Sequence, residues 1–315
     1  MNKRQAVLDV LDSSKPQEYI PAGFFLHFSP QYRQGQAGVD KHLEFFRYTG
    51  MDFVKIQYEK TFPPLPEIQR PQDWAQMPFY GLDFYAPQLE VVRGLVGAAK
   101  AEALVLVTLY SPFMCANQTA GEGRLREHLE QDAESVMTGL QTITESLLLF
   151  VRACIDLGVD GFYASTQGGE AGRFSDPTLF EKCVRPYDLA IMREMDARCI
   201  FNILHVCDYH LKYADLAHLA DYPGQVVNTS LELAGEQKIT GQQVAEVFRR
   251  PFMGGLDRLG ALATGSQQEV RQAVEAALQS APTRTILAAD CTVPGETPWD
   301  NLKLAIDIAH SWRGG

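Results

Sequence analysis

Apolar residues along the chain gather in eight short runs, which are separated by longer segments with helical spacing. Most runs are continuous stretches of about 4–6 apolar residues, the pattern of parallel strands buried on both faces. The segments between them repeat apolar positions every three or four residues and predict helices, among them 131–156, 177–195, 267–279 and 299–311. Strands are predicted at 24–27, 53–56, 103–108, 161–164, 200–205, 226–228, 251–254 and 285–289.

This alternation of strands and helices predicts repeated βα units, which form either a closed barrel or an open doubly wound sheet. A dinucleotide-binding open sheet carries Gly-x-Gly-x-x-Gly after its first strand, and no such motif follows residues 24–27. We therefore predict an α/β fold, a single (β/α)₈ TIM barrel that spans residues 1–315 as one domain. The Pro- and Gln-rich segment 62–87 is predicted to be a loop at the barrel rim.

Composition narrows the set of partners. The net charge of −11 and the pI near 5.1 argue against nucleic acid and against a polybasic membrane contact, because both need a basic surface. The N-terminus lacks the apolar core of a signal peptide, and no apolar run reaches the roughly 18 residues that span a bilayer. The six cysteines show no close-spaced framework, so we expect reduced thiols and a cytoplasmic protein.

In a parallel barrel, functional side chains lie where strands end and βα loops begin. Four polar residues at such positions are predicted to bind substrate: His27, Tyr110, Gln167 and Asn228. The role of His27 stays open, because an imidazole there can line the pocket, act as an acid or base, or make a structural hydrogen bond.

A His-x-Cys motif at the end of the fifth predicted strand and a Cys after the eighth indicate a metal site. Residues i and i+2 of a strand point to the same side, so His205 and Cys207 project together. Cys291 ends another strand and faces the same basin. One imidazole and two thiolates suit Zn²⁺, and three protein ligands leave one position open, as in catalytic zinc sites. Packing is the alternative role, since Cys is often buried. Asp208 and Asp290 flank these residues.

Several segments resemble the uroporphyrinogen decarboxylase superfamily. The sequence Pro-Phe-Met-Gly-Gly-Leu-Asp at 251–257 resembles its seventh-strand segment, and segments at 111–114, 158–162 and 295–301 also fit, in family order. The resemblance implies a (β/α)₈ barrel. It also implies one of two activities: decarboxylation of a tetrapyrrole, or zinc-dependent methyl transfer linked to a corrinoid.

The chain departs from the decarboxylases of this superfamily at three places. They carry Arg-Gln-Ala-Gly-Arg after the first strand, a catalytic Asp after the second and a His at the eighth. This chain has Leu-His-Phe-Ser-Pro at 26–30, with Arg33 as the one arginine nearby, Ile-Gln-Tyr-Glu at 56–59, and Cys291.

The methyltransferase branch of the superfamily has His-x-Cys after the fifth strand and Cys after the eighth, a pattern that His205, Cys207 and Cys291 match position by position. Cobalamin-independent methionine synthase is similar and adds a Glu ligand. Glu232 lies in the corresponding region, where a solvated loop carboxylate is the alternative.

The resemblance therefore implies a methyltransferase in which Zn²⁺ binds a thiol acceptor and the methyl donor is a corrinoid or another small molecule. The chain has no Asp-x-His-x-x-Gly motif, so a corrinoid must come on a partner protein. The alternatives are a decarboxylase of the uroporphyrinogen type and a binding protein that keeps the barrel and the metal without turnover. The decarboxylase relatives suggest a homodimer.

Overall fold

The computed structural model describes residues 2–313, which form one sheet of seven parallel strands in chain order. Each strand pairs with the next one along the chain, so every connection is a crossover that carries helical or irregular chain over the sheet. The strands are β1 (Phe53–Ile56), β2 (Leu104–Tyr110), β3 (Gly161–Thr166), β4 (Ile203–Val206), β5 (Val226–Thr229), β6 (Phe252–Leu256) and β7 (Thr285–Ala289).

Burial explains why these short apolar runs become strands. Every residue of β1, β3, β4, β5 and β7 is buried. Strands covered on both faces need apolar side chains at successive positions rather than at alternate ones. The predicted α/β class and the parallel arrangement are therefore present.

The first predicted strand, residues 24–27, is not a strand, so the described residues form seven strands rather than eight. One isolated parallel bridge joins Ala22 to Leu287 of β7. The Phe25 carbonyl accepts a hydrogen bond from the Val293 N–H at 2.8 Å. Val293 belongs to the loop after β7. The Phe25 carbonyl therefore does not pair with β1, and residues 24–27 form no regular strand.

This segment nevertheless contacts both edges of the sheet. The Gly23 N–H donates to the Leu287 carbonyl at 3.1 Å, and the Asp52 N–H, one residue before β1, donates to the Ala22 carbonyl at 3.0 Å. The sheet is therefore curled, and its edge strands β1 and β7 lie on either side of one stretch of chain.

The helices match the sequence pattern best where the periodicity is long and the caps are clear. Helices predicted at 267–279 and 299–311 have those bounds, and Ser266 and Glu269 form a capping box at the start of the first. The helices are α1 (Lys3–Asp9), α2 (Gly35–Thr49), α3 (Leu82–Ala99), α4 (Pro112–Ala120), α5 (Glu122–Asp156), α6 (Thr178–Cys183), α7 (Arg185–Arg198), α8 (Gly241–Phe248), α9 (Ala261–Thr264), α10 (Gln267–Gln279) and α11 (Trp299–Ser311), with 3₁₀ helices at Pro30–Tyr32, Pro71–Gln76, Ala217–Leu219 and Ala234–Glu236.

Three predicted bounds are wrong. The helix predicted at 177–195 is two helices, because Pro186 lies in the first turn of α7 and lacks the N–H that would continue α6. The helix predicted at 131–156 begins earlier, at Glu122, and bends at Asp132, whose backbone is not helical. The predicted rim loop 62–87 contains the 3₁₀ helix Pro71–Gln76 and the first turns of α3.

Inside the curl of the sheet, alternate strand residues form a buried cluster separate from the main core. All seven strands contribute to it, for example with Phe53, Leu106, Tyr163, Ile203 and Met253. Val7 and Val10, in and just after α1, close it from below. This cluster is the floor beneath the carboxyl ends of the strands. Among residues 2–313, no helix is long and apolar enough to cross a membrane.

Candidate metal centre and its cavity

A cavity of about 690 Å³ opens at the carboxyl ends of the strands. Its wall includes His27, ahead of β1, and His205, the third residue of β4, so the two histidines lie at the same rim, as predicted. Four more of the predicted residues line the same wall: Tyr110, Gln167, Cys207 and Cys291.

His205, Cys207 and Cys291 converge in this cavity. One ligand atom from each lies within 4.8 Å of the others, and all three residues are buried. Cys291 Sγ is 3.4 Å from His205 Nε2. The convergence follows from topology, because β4 and β7 belong to one curled parallel sheet whose strand ends face a common basin.

The two sulfurs of the cluster, Cys207 Sγ and Cys291 Sγ, lie within 4.8 Å of each other. A hydrogen bond between them holds the pKa of Cys291 well below its usual range, and the nearby His205 acts in the same direction. The same hydrogen bond, followed by burial, raises the pKa of Cys207. Cys291 therefore loses its proton more readily than Cys207 does. The Gln167 side-chain N–H donates to Cys207 Sγ at 3.4 Å.

Stacking holds the His205 ring in place. The Tyr163 ring lies 4.7 Å from it, with an angle of 27° between the planes. The Tyr163 hydroxyl donates to Asn228 Oδ1 at 2.5 Å. His205 Nδ1 is buried and has no hydrogen-bond partner among the described residues. The imidazole therefore presents Nε2 to Cys291.

A second polar group lies at the mouth of the cavity. His27 Nδ1 is 2.9 Å from Glu59 Oε1, and His27 Nε2 is 3.5 Å from the Tyr110 hydroxyl. Arg33 Nε lies 3.3 Å from the second oxygen of Glu59 and donates to the Phe28 carbonyl at 2.7 Å.

Asn228 does not belong to the cavity wall among the residues placed there. It is fully buried in β5, and its amide donates to the Met253 carbonyl at 2.9 Å and to the Ala289 carbonyl at 3.0 Å. With the bond from Tyr163, the side chain connects β3, β5, β6 and β7. These hydrogen bonds to protein groups indicate that Asn228 has a structural role in the sheet.

The remaining acidic candidates lie beside the centre rather than in it. Glu232 forms an ion pair with Lys212 in a neighbouring cavity of about 720 Å³ and is not part of the His205 cluster. Burial raises the pKa of Asp208, and it raises the pKa of Asp290 to about 7. The Asp290 carboxylate accepts a hydrogen bond from the Arg258 N–H at 2.9 Å.

Sequence reasoning missed two residues beneath the centre, Tyr163 and Lys55. Lys55 is buried in β1, bonds to Gln57 and places its ammonium 4.5 Å from the centre of the Tyr163 ring. Burial lowers its pKa to about 7, while the charges of Cys291 and Glu59 act in the opposite direction. A lysine within the apolar run of β1 was the signal, since a lysine is rarely buried without a specific role.

Comparison with known families gives one match. The family model for uroporphyrinogen decarboxylase (URO-D) matches residues 49–312. No curated protein matches the chain.

Solved structures similar to the chain include two kinds of methyl-transfer enzyme. A methyltransferase from Methanosarcina mazei superposes with a TM-score of 0.77 at 13% identity, over 98% of each chain. A putative vitamin-B12 independent methionine synthase from Listeria monocytogenes has a TM-score of 0.54 at 14% identity, over 93% of this chain and 97% of that one. A B12-independent methionine synthase from Shewanella sp. W3-18-1, in complex with selenomethionine, has a TM-score of 0.54 at 13% identity, over 93% and 94%. At these identities the similarity shows the fold.

Proposed function

Because the chain belongs to the uroporphyrinogen decarboxylase family, we propose that it is a zinc-dependent methyltransferase that moves a methyl group between a corrinoid, or another methyl donor, and a thiol. The observation that carries this proposal is the convergence of His205, Cys207 and Cys291 in one cavity. Decarboxylation without a metal would not explain why these three side chains converge.

The three residues fit zinc. Ligands at the usual distances of about 2.0–2.3 Å from a tetrahedral zinc lie about 3.5–3.8 Å from one another. The 3.4 Å between Cys291 Sγ and His205 Nε2 is close to that spacing. One nitrogen and two sulfur donors match the ligand preference of Zn²⁺, and the lowered pKa of Cys291 favours the thiolate form that binds metal.

Bound there, Zn²⁺ would hold a thiol acceptor as its thiolate at neutral pH, which supplies the nucleophile. The Gln167 N–H stabilises the sulfur of Cys207. His27, Tyr110 and Gln167 line the cavity that receives the acceptor, so we propose that they bind it. The wall they form places the thiol next to the ligands and leaves the mouth for the methyl donor.

Two comparisons bear on the donor. The similar protein from Methanosarcina mazei is a methyltransferase, and the Listeria and Shewanella proteins are named as B12-independent methionine synthases. We propose a corrinoid as the methyl donor. Since the sequence lacks the corrinoid-binding motif Asp-x-His-x-x-Gly, a partner protein would carry this corrinoid. A donor without a corrinoid is the second candidate, and the two methionine synthases favour it.

We also propose that the curled sheet closes as a (β/α)₈ barrel, with residues 22–28 in the place of a first strand. The backbone bonds of Gly23 to β7 and of Ala22 to the start of β1 support it. An experimental structure in which this segment lies apart from either edge would contradict closure.

Metal analysis tests the centre. Protein purified without chelators should contain about one zinc per chain, since the preformed site binds N and S donors together. Four-ligand zinc sites bind with about 10–16 kcal/mol, which is about 2.5–4 kcal/mol per ligand. Cys291→Ser should therefore weaken zinc binding about a hundredfold to a thousandfold. Cys183→Ser is the matched control, because Cys183 is a buried cysteine of α6 outside the cavity.

Methyl transfer is then measured with methylcobalamin as donor and small thiols as acceptors, by the absorbance change of the corrinoid. Zinc-loaded protein should transfer the methyl group and Cys291→Ser should not. If the unmodified protein and Cys291→Ser bind zinc equally well, the proposed metal centre is refuted. Zinc bound at the site without methyl transfer from either class of donor would favour a binding protein.

A further inference from the structure

His27, Glu59 and Tyr110 form a hydrogen-bonded chain at the cavity mouth, with separations of 2.9 Å and 3.5 Å on the two sides of the imidazole. An ionised carboxylate only accepts hydrogen bonds, so the proton of neutral His27 lies on Nδ1. Nε2 is then the acceptor for the Tyr110 hydroxyl. The geometry fixes one tautomer of His27, whose basic nitrogen faces Tyr110.

Tyr110 connects this chain to the candidate metal ligands. It is the last residue of β2 and lines the cavity together with His205 and Cys207. Burial, followed by the charges of Cys207 and Glu59, raises the pKa of its phenol. Tyr110 therefore shares the cavity with the candidate ligands and reaches His27 through its hydroxyl.

We propose that Tyr110 and His27 relay to solvent the proton that a thiol acceptor releases in the cavity, and that Glu59 positions His27 for this transfer. This inference rests on the proposed function, since only a thiol acceptor brings such a proton. Tyr110 and His27 are then catalytic residues, and Glu59 is a positioning residue.

The transfer balances without a further reactant. The S–H bond of the thiol breaks and its electron pair stays on sulfur. The Tyr110 oxygen takes that proton while its own proton passes to His27 Nε2, which forms an imidazolium. The carboxylate of Glu59 stabilises this cation. The His27 side chain is 37% exposed, so it gives the proton to water and returns to the neutral form.

Charged groups from several elements surround His27. Glu59 follows β1, Arg33 comes from the segment after Pro30–Tyr32, Tyr110 ends β2, and the exposed Glu296 lines the cavity after β7. Arg33 offsets part of the charge of Glu59. His210 and Arg258 also line this cavity. Arg258 supplies a second positive charge in the cavity, so the imidazolium that forms during transfer is stabilised by its direct contact with Glu59 rather than by the net charge around it.

The test uses cobalt(II) in place of zinc as a spectroscopic probe, and 2-mercaptoethanol as the thiol. Stopped-flow absorbance follows the sulfur-to-cobalt band that the added thiol contributes beyond that of Cys207 and Cys291, and a pH indicator follows proton release in weakly buffered solution. General acid–base groups contribute about 10²–10⁴-fold, so His27→Ala should slow both signals about a hundredfold or more. Imidazole added to solution should restore the rate. His27→Gln, which keeps a polar side chain, should be equally slow, and Tyr110→Phe should be slow too.

Tyr32→Phe is the matched control, because it removes one phenol hydroxyl from the surface, outside the cavity, and should behave as the unmodified protein. A second readout needs no metal. Nitrogen-15 NMR of the histidines should show His27 protonated at Nδ1, and Glu59→Gln should shift its tautomer equilibrium toward Nε2.

The outcomes separate the two proposals. If the thiol adds no sulfur-to-cobalt band to the one that Cys207 and Cys291 give in the unmodified cobalt protein, the proposed function fails. If that band forms but both His27 variants reach it at the unmodified rate, and imidazole changes nothing, the relay is refuted while the proposed function stands. Slow variants that imidazole rescues support the relay, since a structural role of His27 predicts no rescue.

Discussion

Replacing Asn228 with alanine should reveal that this residue holds the sheet together rather than binding substrate. The substitution removes two hydrogen bonds to the Met253 and Ala289 carbonyls, and one from the Tyr163 hydroxyl. All three partners are buried. A buried polar group left without a partner costs about 1–3 kcal/mol, so we expect a loss of about 3–5 kcal/mol in the free energy of unfolding.

That loss translates into a measurable shift in melting temperature. Unfolding entropy is about 2.1 cal/mol/K per residue, or about 0.66 kcal/mol/K for a chain of 315 residues. The melting temperature of Asn228→Ala should therefore fall by about 5–8 °C. Differential scanning calorimetry gives this value, and urea unfolding at 25 °C gives the free energy independently.

Asn117→Ala is the matched control. Asn117 also carries an amide, but it lines the cavity and its Oδ1 has no hydrogen-bond partner among the described residues. Its removal should change the free energy of unfolding by less than about 1 kcal/mol. If Asn228→Ala melts like the unmodified protein while the KM for the thiol rises, the structural reasoning is wrong and Asn228 is a substrate-binding group.

Three further predictions concern the pH dependence of stability, the metal and the substrate. Asp188 is buried and its pKa is raised to about 7 from 3.8, mainly by burial. The folded chain thus keeps a proton that the unfolded chain releases, so stability should fall as pH rises from about 4 to about 7. Asp290 has a similarly raised pKa and adds to this slope, so Asp188→Asn should reduce the slope in urea titrations without abolishing it, and an equal slope in both proteins would contradict the prediction. Gln167→Leu, which removes the hydrogen bond to Cys207, should weaken zinc binding about 10–100-fold in competition with a chelator; unchanged binding would mean that Gln167 does not stabilise the ligand. Uroporphyrinogen should not be decarboxylated, and chromatographic detection of product at a kcat of about 1 s⁻¹ or more would restore the decarboxylase alternative.

The sequence predicted the strands and helices where local pattern and tertiary burial agree. The bounds of α10 and α11 follow from strong periodicity and, for α10, from the Ser266 cap. Residues 24–27 show where local pattern is insufficient. Their apolar run is buried as expected, yet the Phe25 carbonyl bonds to Val293. Because Val293 is far from this run in sequence, nothing in the run itself indicates the hydrogen bond.

The same distinction holds in the site. His205, Cys207 and Cys291 could be selected because strand ends of a curled parallel sheet share one basin, and the predicted resemblance to the family is confirmed by the family match. Asn228 could not be judged from sequence. An amide at a strand end has the same pattern whether it faces a ligand or the carbonyls of adjacent strands. Tyr163 lies within an apolar run and gave no sign that its ring stacks on His205.

The His205 ring also bears on how long a metal ion stays bound. A histidine ligand usually donates its second ring N–H to an oxygen atom, which fixes the ring and strengthens its bond to the ion. Among the described residues, nothing accepts a hydrogen bond from His205 Nδ1, and the imidazole is held by the stacked Tyr163 ring and by the contact of its Nε2 with Cys291. The bond between such a histidine and the metal ion breaks more readily than a bond supported by that hydrogen bond. We expect zinc to exchange with the surrounding pool faster than at a site with that hydrogen bond. Occupancy, and with it the active fraction of the protein, would then follow the supply of zinc in the cell.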